Sequence, residues 1–192
     1  SFGSQADTEV LVHLFEDEGE GCVRHLNGMF AFAILDAPSR RGMIARDRLG
    51  IKPLYYTVAA GNLVFASEIK ALLAFPGIDA QLDLDALDQY LTLRYLPGER
   101  AIFTGINKLL PDHLISFDLR EGVWKIRPYW QPEFGGDTAS RGEDELAGEL
   151  LSLLQDSVRL RLMSDVPFGA FLSGGLDSSG VVGLMSQVMV EP

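Results

Sequence analysis

The stretch Phe168-Gly169-Ala170-Phe171-Leu172-Ser173-Gly174-Gly175-Leu176-Asp177-Ser178-Ser179 constrains this chain more than any other. An apolar run of strand length feeds a Gly-rich turn, and a helix-like segment follows through Val181, Val182, Leu184 and Met185. A buried strand that ends in such a turn at a helix N-terminus aims backbone N–H groups and the positive dipole end at one point, which suits an anion. Two consecutive glycines, Gly174 and Gly175, let the main chain come close to that ligand. Ser173 and Ser178 can donate to phosphate oxygens, and Asp177 can orient a metal-bound pyrophosphate or cap the helix. The spacing is not that of a Walker-type loop, which needs Gly-x-x-x-x-Gly-Lys and then Ser or Thr. A ligand-free glycine turn has the same outline, but the intact Ser173–Ser179 order favours a nucleotide pyrophosphate.

A strand of this kind belongs to a parallel α/β sheet and needs neighbours on both sides. The 192 residues stop one helix later and do not open on an initiator Met, so the chain is expected to be a fragment. Hydrophobic residues make up 47% of it, enough for a real core. The formal net charge of −11 argues against a nucleic-acid partner or an anionic membrane, because phosphate binding is carried by Lys and Arg. No apolar run approaches the roughly 18–20 residues of a membrane span, and no signal peptide is visible. Cys22 is the one cysteine, which excludes an internal disulfide and fits a cytoplasmic location; its expected role is packing. His13, His25 and His113 lack metal-ligand spacing, and no metal site on the protein alone is expected.

The remaining punctuation divides the chain. Asp7 or Thr8 is placed to cap a helix with Val10, Leu11, Leu14 and Phe15 on its apolar face. Met29–Leu35 and Gly42–Arg46 read as strands around a turn, and Tyr55–Val58 and Leu63–Ala66 as a hairpin around Ala59-Ala60-Gly61-Asn62. Ser67 is expected to start a helix through Ile69, Leu72 and Leu73, and Asp83 one with a face of Leu84, Leu87 and Leu91. His113–Leu119 and Val123–Tyr129 form a further hairpin. Gln131–Thr138 is rich in turn formers, and the expected organisation is residues 1–130, a linker over 131–142, and 143–192. A helix with Leu146, Leu150, Leu153, Leu154, Val158 and Leu162 on one stripe leads to the Gly-rich loop.

The loop Ser-Gly-Gly-Leu-Asp-Ser-Ser looks like the pyrophosphate loop of enzymes that split ATP between its α and β phosphates. With Ser4-Gln5-Ala6-Asp7-Thr8-Glu9-Val10, Leu26–Ala33, Arg46–Tyr56, Phe65–Leu72 and Arg161–Gly169 in this order, the chain resembles glutamine-hydrolysing asparagine synthetase of the bacterial type almost end to end. The resemblance implies an α+β, α/β protein: an incomplete N-terminal-nucleophile glutaminase domain of αββα type, followed by the start of an α/β pyrophosphate-loop ATPase domain. It implies glutamine, aspartate, ATP and Mg2+ as substrates and cofactors, a β-aspartyl-AMP intermediate, and a parent that can be a homodimer. Asp7 matches the carboxylate that holds the α-amino group of glutamine, and a helix N-cap uses the same position. Leu172, Ser173, Gly174, Gly175, Asp177 and Ser178 match the ATP-contacting loop, with Leu172 acting through packing or its main chain. Arg46, Asp47 and Lys52 read either as ligands or as an ion-paired brace.

Departures from the family pattern also matter. The family's nucleophile is a Cys at the mature N-terminus, and this chain has none; Ser1 matches a position well inside the first domain. The Arg and Asn-Gly-Glu segments of the family lie upstream, and Asn27-Gly28 precedes Met29 and is not that pair. No catalytic residue is therefore expected within the 192 residues, and neither activity is expected of the chain alone. Pro111-Asp112-His113 stands where relatives have Pro-Gly-His, which puts one turn in question. Relatives with another carboxylate acceptor, or a non-catalytic glutaminase-like module, remain the competing readings.

Overall fold

The computed structural model describes residues 2–4, 6–135 and 141–189 and divides into two units, Ser1–Glu133 and Phe134–Pro192. The first unit opens with helix α1 (Asp7–Glu18) and a 3-10 turn over Gly19–His25. Seven strands follow: β1 (Ala31–Asp36), β2 (Arg41–Arg46), β3 (Tyr55–Ala59), β4 (Asn62–Ala66), β5 (Asn107–Lys108), β6 (His113–Asp118) and β7 (Val123–Pro128). They make two antiparallel sheets, in the orders β1-β2-β6-β7 and β4-β3-β5. Between β4 and β5 lie α2 (Ile69–Leu73) and α3 (Leu84–Leu93).

Three clusters of buried side chains define the layers. On one face of the larger sheet, Met43, Ala45 and Leu114 pack with Cys22, Val23 and Tyr129, under Leu14 and Phe15 of α1. On its other face, Ile44 and Ile115 meet Leu54, Tyr56 and Leu109 of the smaller sheet and its flanks. Leu72, Ala101 and Ile106 then cover the far side of the smaller sheet, against Tyr55, Val64 and Ala66. The order is helix, sheet, sheet, helix, and the mixed α+β class expected from the sequence is what forms. Because side chains alternate along a strand, β2 feeds two cores and is buried from Gly42 to Ala45. Gly42 is required there: a Cβ at this position would lie 2.1 Å from the Ile34 carbonyl oxygen and 2.6 Å from Phe117 Cζ.

Local differences from the sequence expectations have identifiable causes. The α1 N-cap is Ala6, with no capping side chain, so Asp7 is the first helical residue and neither it nor Thr8 caps. Helix α2 starts one residue after Glu68 rather than at Ser67. In α3 the cap is as expected, Asp83 accepting from Ala86 N at 3.0 Å, but the Leu face is not the packed one. Leu84 and Leu91 are 72% and 71% exposed, while Ala86 is fully buried. Periodicity locates an apolar stripe, not what lies against it. Asp112 adopts φ +59°, the left-handed conformation that glycine takes without strain and Asp tolerates, so the questioned turn is kept.

In the second unit, α4 (Glu143–Arg159) packs on α5 (Leu176–Val188), with Leu184 buried and Gln155 Nε2 donating to Gln187 Oε1 at 3.2 Å. The strand expected over Phe168–Ser173 does not form: the segment is irregular, and Phe171 is fully exposed. Two helices offer it no ladder partner, and a lone strand cannot satisfy its backbone. Of the expected linker, residues 131–135, 141 and 142 carry no helix or strand, and residues 136–140 lie outside the described ones. No helix among the described residues is long and apolar enough to cross a membrane.

Candidate functional site

Asp7 stands exposed in the first turn of α1, where the helix dipole favours a carboxylate. Glu9, not Asp7, organises this end. Its carboxylate accepts from Gly3 N at 2.5 Å, from Ser4 N at 2.7 Å and from the Ser4 hydroxyl, while Ser4 Oγ accepts from Ala6 N at 3.3 Å. The Ser4 hydroxyl and the Gly3 amide hold the Glu9 carboxyl well below the usual carboxylate range, at about 2. Behind it, His13 Nε2 lies 3.6 Å from Glu9 Oε1, and His13 Nδ1 lies 3.1 Å from Glu16 Oε2. The sequence reading missed Glu9. Its signal was half present: an acid at the third helical position, but with Ala6 where a capping box has Ser or Thr.

In the second unit the Gly-rich loop runs into α5, whose N-cap is Gly175, and Gly174 has φ +79°. The loop brings Ser173, Gly175 and Ser178 together: the two hydroxyl oxygens are 2.8 Å apart, and Ser178 Oγ donates to Gly175 O at 3.1 Å. Each hydroxyl has one proton. With that of Ser178 on the carbonyl, Ser173 must donate to Ser178, so both donors expected for phosphate are directed inside the loop. Asp177 lies in the first turn and makes no capping bond; Leu172 is 62% exposed.

Arg46, Asp47 and Lys52 form a brace, built differently from the ion-paired one expected. Arg46 donates to the carbonyls of Lys52 (2.7 Å), Leu109 (2.5 Å) and Gly50 (2.7 Å). Asp47, 1% exposed, accepts from the amides of Leu49 (3.2 Å), Ile51 (2.9 Å) and Lys52 (2.9 Å). Tyr129 closes the loop by donating to Arg46 O at 2.7 Å, and burial raises its phenol's pKa. Both charges are thus committed to main chain, and Lys52 takes part through its backbone. Cys22 is a packed thiol, pushed up to about 11 by burial and by Glu18, and poorly suited to nucleophilic work. Among the described residues no group of three or more His, Cys, Asp or Glu is placed to hold a metal. An apolar cleft of about 420 Å³ between the sheets, lined by Ile34, Ile44, Phe65, Phe117 and Trp124 among others, does not include Asp7.

Comparison with known proteins bears on both units. Residues 1–130 match the protein-family model for a glutamine amidotransferase domain, and residues 149–192 match that for asparagine synthase. Asparagine synthetase [glutamine-hydrolyzing] 3 of Bacillus subtilis is 42% identical over 187 residues, 95% of this chain and 29% of that protein. Putative asparagine synthetase [glutamine-hydrolyzing] 2 of Methanocaldococcus jannaschii is 40% identical over 185 residues, covering 94% and 35% of the two. The chain therefore spans about a third of the length of these relatives. Among solved structures, the glutamine phosphoribosylpyrophosphate amidotransferase of B. subtilis is similar over 98% of this chain and 39% of its own, at 14% identity and a TM-score of 0.44. With its first 130 residues matched throughout, the chain belongs to the glutamine amidotransferase domain family and carries an asparagine synthase segment behind that domain.

Proposed function

We propose that this chain is part of an ATP-dependent amidotransferase that takes ammonia from glutamine and uses it to convert aspartate to asparagine. The observation that carries the reading is the pairing, in one chain, of a glutamine amidotransferase domain with a Ser-Gly-Gly-Leu-Asp-Ser loop at the N-terminus of α5. In this reading the β-carboxylate of aspartate attacks the α-phosphorus of ATP and pyrophosphate leaves. Ammonia then attacks the activated carbonyl carbon and displaces AMP. The free N–H groups of the first turn of α5 face the departing pyrophosphate charge, and Ser173 and Ser178 turn outward to join them. Magnesium usually sits on substrate phosphates with one or two protein carboxylates, and Asp177 is the carboxylate this loop offers. Asp7 holds the α-ammonium of glutamine by a charge-assisted hydrogen bond.

The test is Asp177→Ala in a full-length protein carrying this chain. Pyrophosphate release with ATP, magnesium and aspartate should be lost, while glutamate still forms from glutamine. Full pyrophosphate release by the variant would sink the assignment of the loop.

A further inference from the structure

We propose that Glu9 is a positioning residue for glutamine recognition, fixing the segment that presents Asp7; the proposal rests on the reading of Asp7 as the ligand of the α-amino group. Glu9 and Asp7 are two positions apart on α1 and do not face the same way. The Glu9 side chain is 19% exposed, against an exposed Asp7. All three donors of the Gly3–Ser4 segment, two amides and a hydroxyl, converge on the Glu9 carboxylate, and Ser4 Oγ in turn receives the Ala6 amide. Gly3, Ser4 and Ala6 are thereby tied to the first turn of α1, in which Asp7 is the first residue.

Two consequences bear on ligand binding. Three donors already sit on the Glu9 carboxylate, whereas Asp7 stands exposed, so Asp7 is the better placed carboxylate of this turn to take an ammonium. The turn also holds Asp7 in place before the ligand arrives, which lowers the ordering cost of binding. Charge is needed, because a carboxylate accepts at both oxygens. The amide of Glu9→Gln would set its own N–H groups against one of the donors.

The experiment compares Glu9→Gln, Asp7→Asn and the double variant in a full-length protein carrying this chain, with glutamine and with ammonia as nitrogen source. Glu9→Gln is expected to raise the KM for glutamine about five- to twentyfold, with kcat and ammonia-dependent turnover within about twofold of the parent. The double variant should be no worse for glutamine than Asp7→Asn, because both changes remove the same interaction. An unchanged KM, additive losses, or a parallel fall in ammonia-dependent turnover each overturns the proposal. If Asp7→Asn raises the KM and Glu9→Gln does not, only the role of Glu9 fails. If Asp7→Asn has no effect, the reading of Asp7 fails as well. Should Glu9→Gln not fold, Ser4→Ala carries the test: a KM rise of about two- to fivefold supports the proposal and an unchanged KM overturns it.

Discussion

At the scale of single residues, the charges that look most chemical in this sequence are divided by what else they can reach, some being committed to main chain and others left exposed. Asp47 is buried and Arg46 half-buried among amides and carbonyls that they partner; most of these bonds fall on the turn around Gly50, and one from Arg46 reaches across to Leu109 O. Gly50 has φ +64°, and a Cβ there would lie 2.8 Å from Pro111 Cγ and 3.1 Å from Arg46 Cζ. Gly50→Ala should therefore destabilise the first unit by about 1–3 kcal/mol, from left-handed strain and overpacking together. A shift of the urea midpoint of the chain checks this, and an unchanged midpoint would show that the loop gives way freely. A brace was among the readings of these residue types, but its construction was not legible: that the charges go to main chain and not to each other depends on where the surrounding carbonyls and amides lie. Asp7 and Glu9 divide the same way: the sequence offers two acids in one helical turn, and the preceding Gly3 and Ser4 determine which is occupied.

At the scale of elements, punctuation was more readable than packing. The hairpin β3–β4 turns through Ala60 at φ +48° and Gly61 at φ +77°, two left-handed residues in a two-residue loop. Glycine takes that conformation freely and Ala does not, so Ala60→Asn should stabilise by about 0.5–1 kcal/mol. A rise in the urea midpoint is the expected outcome, whereas a fall would mean that Asn loses a contact the alanine keeps. The turn was legible because Gly-Asn between two apolar runs has few other uses. Three features were not. The two-residue strand β5 is too short to leave a periodic signal and exists because β3 offers an edge, Tyr55 and Tyr56 pairing with Lys108 and Asn107. The leucines of α3 gave the right helix but not the packed face, which a small residue, Ala86, occupies. The strand expected at Phe168–Ser173 depends on neighbours that these two helices do not supply.

At the scale of the whole molecule, composition and exposure pull against each other. A net charge of −11 keeps chains apart at neutral pH, and the sequence isoelectric point lies near 4.6. Phe171 is fully exposed, Met163 is 93% exposed and Leu176 is 89% exposed in the second unit. Such apolar surface is held in solution by charge alone once it is uncovered. Light scattering of the purified chain should accordingly be lowest near pH 8 and rise toward pH 4.6, and Phe171→Ser should reduce that rise. Equal scattering across this range, or no effect of the substitution, would mean that these side chains find cover in solution.

The alternation along β2 has a consequence for how the first unit fails. Met43 and Ala45 belong to the core under α1, Ile44 to the core between the sheets, and the three share one stretch of backbone paired on both sides. A disturbance that loosens either core must bend that stretch, and bending it pulls the intervening side chain out of the other. The strand acts as a common wall, so neither compartment can open while the other stays shut. The unit is committed to losing both together, and even a tolerable defect in one core, such as a lost methylene at Ile44, weakens the support beneath α1 where Asp7 stands.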